Sequence, residues 1–201
     1  MRHIDDRVCS KRSNGCVEQS FDCRRKGVTS MNAQDVYSKI SDMLLEGVMF
    51  HDQMADCFRF LGLDGFACEH EEQAIKEAAA RREMVRYFIG NHNQLLKDAS
   101  PHNPGVIPDT WRKYARQQID TATKRRAVRD TYERWFKREK EVKEILETFY
   151  KELIEEAEIA AATKIQDIIC AVESELCRIV KKQLILQSTD YDIGCINSMQ
   201  K

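Results

Sequence analysis

Four glutamates and one histidine fall on or beside the apolar stripes of predicted helices, where charged groups are costly to bury. Glu71 and Glu139 lie in the middle of their stripes. Glu46 and Glu175 lie at the edges of theirs, and His51 lies within about two helical turns of Glu71. A buried carboxylate must be paired, protonated or bound to a metal. The candidate metal ligands are therefore Glu46, His51, Glu71, Glu139 and Glu175.

Arg81 offers a competing explanation for the same acids. It lies on the apolar stripe of the second predicted helix, at about the level of Glu46 and Glu139. One guanidinium has enough donors to bind two carboxylates. In this interpretation an arginine neutralises the inward acids and no metal is needed. Both explanations stay open at the level of sequence, and the second one predicts no cofactor.

Motifs that would identify an enzyme are absent from the sequence. It contains no Glu-x-x-His, no glycine-rich nucleotide loop, no Walker motif, and no hydrolase or metalloprotease motif. Nucleotide-dependent and hydrolytic enzymes therefore have no positive support. We assign no catalytic and no cofactor-binding residue, and the expected ion, if the acids bind one, is iron or manganese.

A basic stretch with interleaved aromatic residues occupies positions 111–129. Trp111 and Tyr114 could stack on bases while the surrounding lysines and arginines meet phosphates. The alternative, which we favour, is that the aromatic residues pin a connecting segment to the rest of the protein while the charges pair with acidic neighbours.

The expected partner is a second copy of the chain, self-associating through exposed helix faces.

Composition bounds the fold class. The chain has 201 residues, 42% of them hydrophobic, and 32 basic side chains nearly balance 33 acidic ones. This is enough apolar surface for one folded domain. No Gly or Pro occurs between positions 109 and 193, which argues against folds that need frequent turns, so we expect an all-α protein.

No apolar run is long enough to span a membrane and no signal peptide is apparent, so we expect a cytoplasmic location.

Apolar periodicity predicts four long helices, at about 33–61, 66–97, 121–154 and 157–187. Asn32 is the predicted cap of the first, and Asp120 or Thr121 that of the third. The first two helices and the last two are joined by short turns, whereas all three prolines lie in the long middle connection. We therefore predict two antiparallel hairpins joined by one long crossover.

The two ends of the chain are predicted to be flexible. Residues 1–30 contain Cys9, Cys16 and Cys23 and have little apolar periodicity, so we interpret them as a flexible leader. A translation start at Met31 is an alternative interpretation, in which the leader lies upstream of the natural protein. Residues 31–193 then form the bundle, and residues 194–201 form a flexible tail.

The helix lengths and connection pattern over residues 31–193 resemble the ferritin-like superfamily. The segments 45–54 and 158–162 also resemble helices of uncharacterised bacterial ferritin-like proteins. The resemblance implies a ferritin-like four-helix bundle, although the Glu-x-x-His of its di-iron members is missing here. Our first functional hypothesis is a non-catalytic structural or interaction module. The alternative is a carboxylate-bridged di-metal protein that binds iron or manganese.

Overall fold

The computed structural model describes residues 32–104, 119–192 and Gly194. It contains four α-helices: α1 (Ala33–Phe60), α2 (Asp64–His92), α3 (Thr121–Glu155) and α4 (Ile159–Ser188). No strand occurs in these ranges, so the all-helical prediction is confirmed for the described part of the chain. The predicted leader, Met31, positions 111–118 of the basic stretch and positions 195–201 of the predicted tail lie outside it.

Side chains cap the N-terminal ends of α1 and α3. Asn32 Oδ1 accepts a hydrogen bond from the Asp35 amide at the start of α1 (3.0 Å). Asp120 Oδ1 accepts one from the Thr123 amide at the start of α3 (2.6 Å). Such caps satisfy amides that have no partner within the helix. The predicted Asn32 cap is confirmed. Of the two residues predicted to cap α3, Asp120 and Thr121, Asp120 is the cap.

The turn between α1 and α2 contains a glycine in the left-handed region. Gly62 has φ +69°, its amide bonds to the Arg59 carbonyl (3.0 Å), and the Leu63 amide bonds to the Phe58 carbonyl (2.9 Å). This pair of bonds is the Schellman motif, in which glycine is favoured because it has no Cβ. The motif reverses the chain within three residues, so α1 and α2 pack antiparallel along their lengths.

The turn between α3 and α4 has the same geometry without a glycine. Ala157 has φ +62°, its amide bonds to the Ile154 carbonyl (3.1 Å), and the Glu158 amide bonds to the Leu153 carbonyl (2.9 Å). A Schellman turn therefore forms here although the sequence has no Gly or Pro to indicate it. The predicted break between the two helices is confirmed, close to its predicted position.

The connection that leaves α2 runs back along α1. Asn93, with φ 50°, ends α2 earlier than the predicted position 97. Hydrogen bonds then join, in order, Leu95 to Gln34, Lys97 to Ser38, Ser100 to Asp42, His102 to Glu46 and Asn103 to Gln53. This stretch of α1 is roughly 28 Å long at 1.5 Å per residue. The segment therefore travels along the bundle, in the direction that the predicted crossover requires.

Two apolar clusters fill the interior, and each draws on all four helices. Core 1, near the α1–α2 turn, includes Phe58, Phe66, Tyr132, Trp135 and Ile179. Core 2, at the opposite end, includes Tyr37, Phe88, Leu146, Leu153 and Ile165. Each fully buried side chain of this size contributes about 1.5–3 kcal/mol. The two cores hold the four helices together and leave a separate layer between them.

Among the helices of the described part, none combines the length and the apolar character that a bilayer crossing requires.

Candidate metal centre

A layer of polar and charged side chains, which we call the polar belt, lies between core 1 and core 2. Every helix contributes to it. Its members are His51 on α1, His70, Gln73 and Glu77 on α2, Arg138 and Glu139 on α3, and Glu175 and Arg178 on α4. Charges taken out of water cost several kcal/mol each unless they are compensated. The groups of the polar belt must therefore neutralise one another or bind an ion.

His51 is completely buried and has one ring nitrogen without a hydrogen bond. Its Nδ1 lies 2.8 Å from Nδ1 of His70. Its Nε2 points toward Glu77, but the distance to Oε1 is 3.6 Å and no hydrogen bond forms. Burial, the neighbouring His70 and two arginines hold the pKa of His51 well below its usual range. The imidazole is therefore neutral, the form that binds metals.

Glu77 and Glu139 bring two carboxylates to the same region from α2 and α3. The Glu139 residue is only 3% exposed, and the Glu77 side chain is 13% exposed. Burial raises the pKa of both carboxyls above the ordinary value of 4.5, and Arg138 opposes the increase. The electrostatic repulsion from neighbouring carboxylates adds to the increase at each group. These are acids whose negative charge is only partly compensated by the protein.

Arg138 is the cation that lies closest to both acids. Its Nη1 donates to Glu77 Oε1 (3.0 Å) and to Glu139 Oε1, and its Nη2 donates to the Met43 carbonyl (3.2 Å). The guanidinium also lies over the Phe50 ring, 5.7 Å from its centroid. These contacts fix the guanidinium between α1, α2 and α3. It therefore holds Glu77 and Glu139 beside each other.

Gly47 on α1 provides the space for this arrangement. A Cβ atom at this position would lie 1.8 Å from Glu77 Oε2 and 2.3 Å from Arg138 Nη2. Neither distance is compatible with van der Waals contact. The absence of a side chain at Gly47 therefore lets the ion pair approach the α1 backbone.

Glu175 and Arg178 complete the polar belt from α4. Arg178 Nη2 lies 3.3 Å from Glu175 Oε1, and its guanidinium lies over the Trp135 ring, 5.2 Å from the centroid. Burial raises the pKa of Glu175, and Arg178 and Arg138 oppose the increase. The Glu175 side chain is 21% exposed, more than that of Glu139, so it lies nearer to solvent.

A cleft of about 430 Å³ connects the polar belt with the surface. Glu77, Glu139 and Glu175 line it together with Arg138 and Arg178. Its remaining walls come mainly from the apolar side chains Met43, Leu44, Ala80, Val142, Ala171 and Val172. An ion or a small molecule can therefore reach the acids without displacing either core.

Three side chains of the polar belt are spaced as the ligands of one metal ion. One ligand atom from each of His51, Glu77 and Glu139 lies within 4.8 Å of the other two. Donor atoms bound to one tetrahedral zinc ion at 2.0–2.1 Å lie about 3.4 Å from one another. The three atoms must therefore approach one another by up to about 1.4 Å to share an ion. An imidazole with carboxylates suits zinc, iron and manganese.

Three of the five predicted metal ligands meet in this layer, and two do not. His51 and Glu139 belong to the three-residue group, and Glu175 lines the same cleft. Glu46 faces the connection after α2, where its carboxylate accepts the His102 amide hydrogen (2.6 Å). Glu71 is paired with Arg59 outside the polar belt, with a 3.0 Å bond from Nε.

Arg81 does not hold the position that the competing explanation gave it. Its Nε donates to Ser41 Oγ (2.9 Å), beside α1. Arg138 holds Glu139 instead, together with Glu77, which the sequence analysis did not identify. The physical principle of that explanation, an arginine that neutralises inward acids, therefore applies to a different residue.

Glu71 is the predicted ligand on α2 because it lies on the apolar stripe assigned to that helix, which runs through Ala67, Ala74, Ala78, Val85 and Ile89 and departs from the buried face in the second half of the helix. Phe66, His70, Gln73, Met84 and Phe88 are buried, whereas Ile89 of the assigned stripe is 39% exposed. The buried face of α2 is polar over its central part, so the apolar periodicity of the sequence does not indicate which face is buried. The useful signal was the spacing of three or four residues from Phe66 through His70 and Gln73 to Glu77.

The described part of the basic stretch pairs partly with acids. Arg125 Nη1 lies 3.6 Å from Asp190 Oδ2, and Arg129 Nε lies 3.5 Å from Asp130 Oδ1. These contacts agree with the interpretation that we favoured for this stretch, and nucleic-acid binding stays a prediction.

A scan against models of protein families finds no match for this chain, and a search of curated proteins finds no relative. The ferritin-like resemblance therefore stays a prediction, and the function is argued from the chemistry of the polar belt.

Proposed function

We propose that the chain is a ferritin-like four-helix bundle that binds one divalent transition-metal ion in its interior. His51, Glu77 and Glu139 are the ligands, and Glu175 lies beside them as a further carboxylate. The observation that carries the proposal is the buried Nε2 of His51, which has no hydrogen-bond partner and points toward Glu77. Buried polar atoms without a partner are rare and costly. A metal ion at this position satisfies Nε2 and both carboxylates.

The arrangement of the helices supports the ferritin-like part of the proposal. Two antiparallel hairpins joined by one long connection are typical of that fold, in which inward side chains of facing helices hold metals. Here α1, α2 and α3 supply the ligands, and α4 supplies Glu175. The lack of Glu-x-x-His changes the expected ligand set, because the histidine comes from α1 alone.

Electrostatics favour one ion rather than the two of the alternative hypothesis. When Glu77, Glu139 and Glu175 are ionised, they carry three negative charges, against two positive charges on Arg138 and Arg178. Because His51 is neutral, the polar belt keeps one net negative charge. Lys76 lines the same cleft and acts to lower the pKa of Glu175, so one divalent ion already exceeds the negative charge that is left. A second ion would have to lie beside the Arg138 guanidinium, which already contacts Glu77 and Glu139.

The surroundings of the ion leave room for further ligands. Three protein ligands leave positions open on a metal that prefers four or more. The cleft of about 430 Å³ reaches the same carboxylates, so water or a small molecule has access to those positions. Iron and manganese, the ions expected from the sequence, both accept this mixture of nitrogen and oxygen ligands.

The second candidate is the first hypothesis from the sequence, a structural or interaction module without metal. The donation of Arg138 to both Glu77 and Glu139 favours it, because the guanidinium compensates these acids within the protein. Val180, Leu184 and Ile185 on α4 are 40% to 59% exposed, and such side chains suit the predicted self-association.

Metal titration of the full chain separates the two candidates. The chelator-treated protein is titrated by calorimetry with Mn²⁺, and with Fe²⁺ under anaerobic conditions. We expect one equivalent to bind. Glu77→Gln and Glu139→Gln should each weaken binding at least about tenfold, which corresponds to about 1.4 kcal/mol. Both variants keep the side-chain volume, and circular dichroism verifies that they fold.

Glu71→Gln is the matched control, because Glu71 lies on α2 six positions before Glu77 but pairs with Arg59 instead. We expect this variant to bind like the parent. If the parent binds no ion, or if Glu77→Gln and Glu139→Gln bind as tightly as Glu71→Gln, the metal proposal is wrong and the structural module is favoured.

A further inference from the structure

His70 is buried behind His51, and the two rings share a hydrogen bond. It is completely buried, and the two Nδ1 atoms are 2.8 Å apart. The His70 ring stacks on Phe58, with 5.4 Å between centroids, and lies 4.9 Å from the Trp135 ring. Aromatic packing therefore fixes His70, and the hydrogen bond transmits this rigidity to His51.

The hydrogen bond also restricts where both rings carry their protons. Both imidazoles are neutral, because the two residues are completely buried side by side and a charged ring there would cost several kcal/mol. A neutral imidazole carries one hydrogen, on either nitrogen. Because only one of the two Nδ1 atoms can donate, the other ring must carry its hydrogen on Nε2. The two histidines are therefore opposite tautomers.

Electrostatics decide which ring donates when no metal is bound. A hydrogen on His51 Nε2 faces Glu77 Oε1 at 3.6 Å, and an N–H directed at a carboxyl oxygen is attracted to it whether or not the acid is ionised. In that state His70 carries its hydrogen on Nδ1 and donates to His51. A metal on His51 Nε2 requires the opposite arrangement, because the nitrogen that binds the ion cannot keep its hydrogen.

We propose that His70 is a positioning residue of the metal centre and that metal binding exchanges the tautomers of His51 and His70. His51 loses the proton on Nε2, the hydrogen between the two Nδ1 atoms passes from His70 to His51, and His70 gains a proton on Nε2. The number of protons on the pair is unchanged, and both rings stay neutral. His51 then donates to His70, which orients the ligand and makes its free nitrogen more basic. This inference rests on the proposed metal function.

Nitrogen NMR of the ¹⁵N-labelled full chain tests the exchange, because the two tautomers of histidine have distinct ring nitrogen shifts. Zn²⁺ is the probe, since it is diamagnetic and accepts imidazole and carboxylate ligands. We expect His51 to carry its hydrogen on Nε2 in the chelated protein and on Nδ1 after Zn²⁺ is added. His70 should change in the opposite direction.

Two variants separate positioning from packing. His70→Phe keeps an aromatic ring beside Phe58 and Trp135 but removes the hydrogen bond, and we expect roughly 10- to 100-fold weaker Zn²⁺ binding. His70→Asn keeps a short polar group that can donate or accept near the Nδ1 position, and it should restore most of the affinity. A purely packing role predicts the reverse order of the two variants.

The outcomes distinguish this inference from the metal proposal itself. If the parent protein binds Zn²⁺ while His51 keeps the same tautomer, or if His70→Phe binds as tightly as the parent, the inference is overturned and the metal site stands. If the parent binds neither Zn²⁺ nor the ions of the earlier titration, both are overturned.

Discussion

Arg138 and Gly47 depend on each other in the interior. The guanidinium donates to two carboxylates and to a backbone carbonyl of α1, and it lies where a side chain at position 47 would project. Removal of one partner from a buried ion pair typically costs 3–5 kcal/mol, because the remaining charge loses its compensation. The polar belt is therefore sensitive to a single added methyl group.

Gly47→Ala tests this dependence. Alanine stabilises an ordinary helix interior by about 0.5–1 kcal/mol relative to glycine. At position 47 the new Cβ must displace the Glu77 carboxylate and the Arg138 guanidinium, which weakens buried charged hydrogen bonds worth about 1–3 kcal/mol. We expect the free energy of unfolding, measured with urea, to decrease by about 1–2 kcal/mol, which is the loss of these bonds less the gain from alanine.

Gly90→Ala is the matched control on α2, where an added Cβ meets no atom within 4 Å. We expect it to raise the free energy of unfolding by about 0.5–1 kcal/mol. Equal stabilisation by both substitutions would show that Gly47 does not hold space for the ion pair.

The two hairpin turns show how similar elements arise from different residues. Both are Schellman turns, with Gly62 in the left-handed position of one and Ala157 in that of the other. The left-handed region costs a residue with a Cβ about 1–2 kcal/mol, whereas glycine adopts it freely. The α3–α4 turn is therefore strained in comparison with the α1–α2 turn.

A reciprocal exchange checks this difference. We expect Ala157→Gly to raise the free energy of unfolding by about 1 kcal/mol and Gly62→Ala to lower it by about the same amount. Thermal or urea unfolding of the two single variants measures both effects. The absence of stabilisation in Ala157→Gly would contradict the strain at that turn.

At the scale of the whole molecule, a second, partly buried ion pair joins the two hairpins. Lys182 on α4 donates to Glu69 Oε1 on α2, and the Tyr132 hydroxyl on α3 donates to Glu69 Oε2 (2.6 Å). Burial of Glu69 acts to raise the pKa of its carboxyl, but Lys182 and Tyr132 outweigh this effect and hold the pKa below the ordinary 4.5. The ionised form of Glu69 therefore stabilises the packed bundle.

This pKa shift predicts how stability depends on pH. Because the folded state holds Glu69 ionised more strongly than the unfolded chain, its stabilising contribution is complete above pH 4.5 and is lost as the pH falls through the folded pKa. We expect Glu69→Gln to destabilise the protein at pH 7 and the difference from the parent to shrink below pH 4.5. Urea unfolding between pH 7 and pH 3 measures it.

Glu72→Gln serves as the control, since Glu72 lies one turn further along α2 and is exposed. Its stability should follow that of the parent at every pH. A difference between Glu69→Gln and the parent that stays constant down to pH 3 would argue against this role of Glu69.

Helix bounds could be predicted from the sequence because they depend on residues a few positions apart. Asn32 and Asp120 cap the helices that follow them, and Gly62 marks the first turn through its conformational freedom alone. Two of the three proposed metal ligands were also accessible, because His51 and Glu139 are polar residues beside apolar stripes.

Glu77, Arg138 and His70 could not be identified with equal certainty, because their role depends on how four helices are rotated about their axes. The inward face of α2 is polar at its centre, so its hydrophobic pattern does not define that rotation. The packing of core 1 and core 2 does, and it brings residues distant in sequence within hydrogen-bonding distance. The amino-acid sequence thus specifies the four helices through local capping and periodicity, whereas the proposed metal centre depends on the tertiary packing that brings their side chains together.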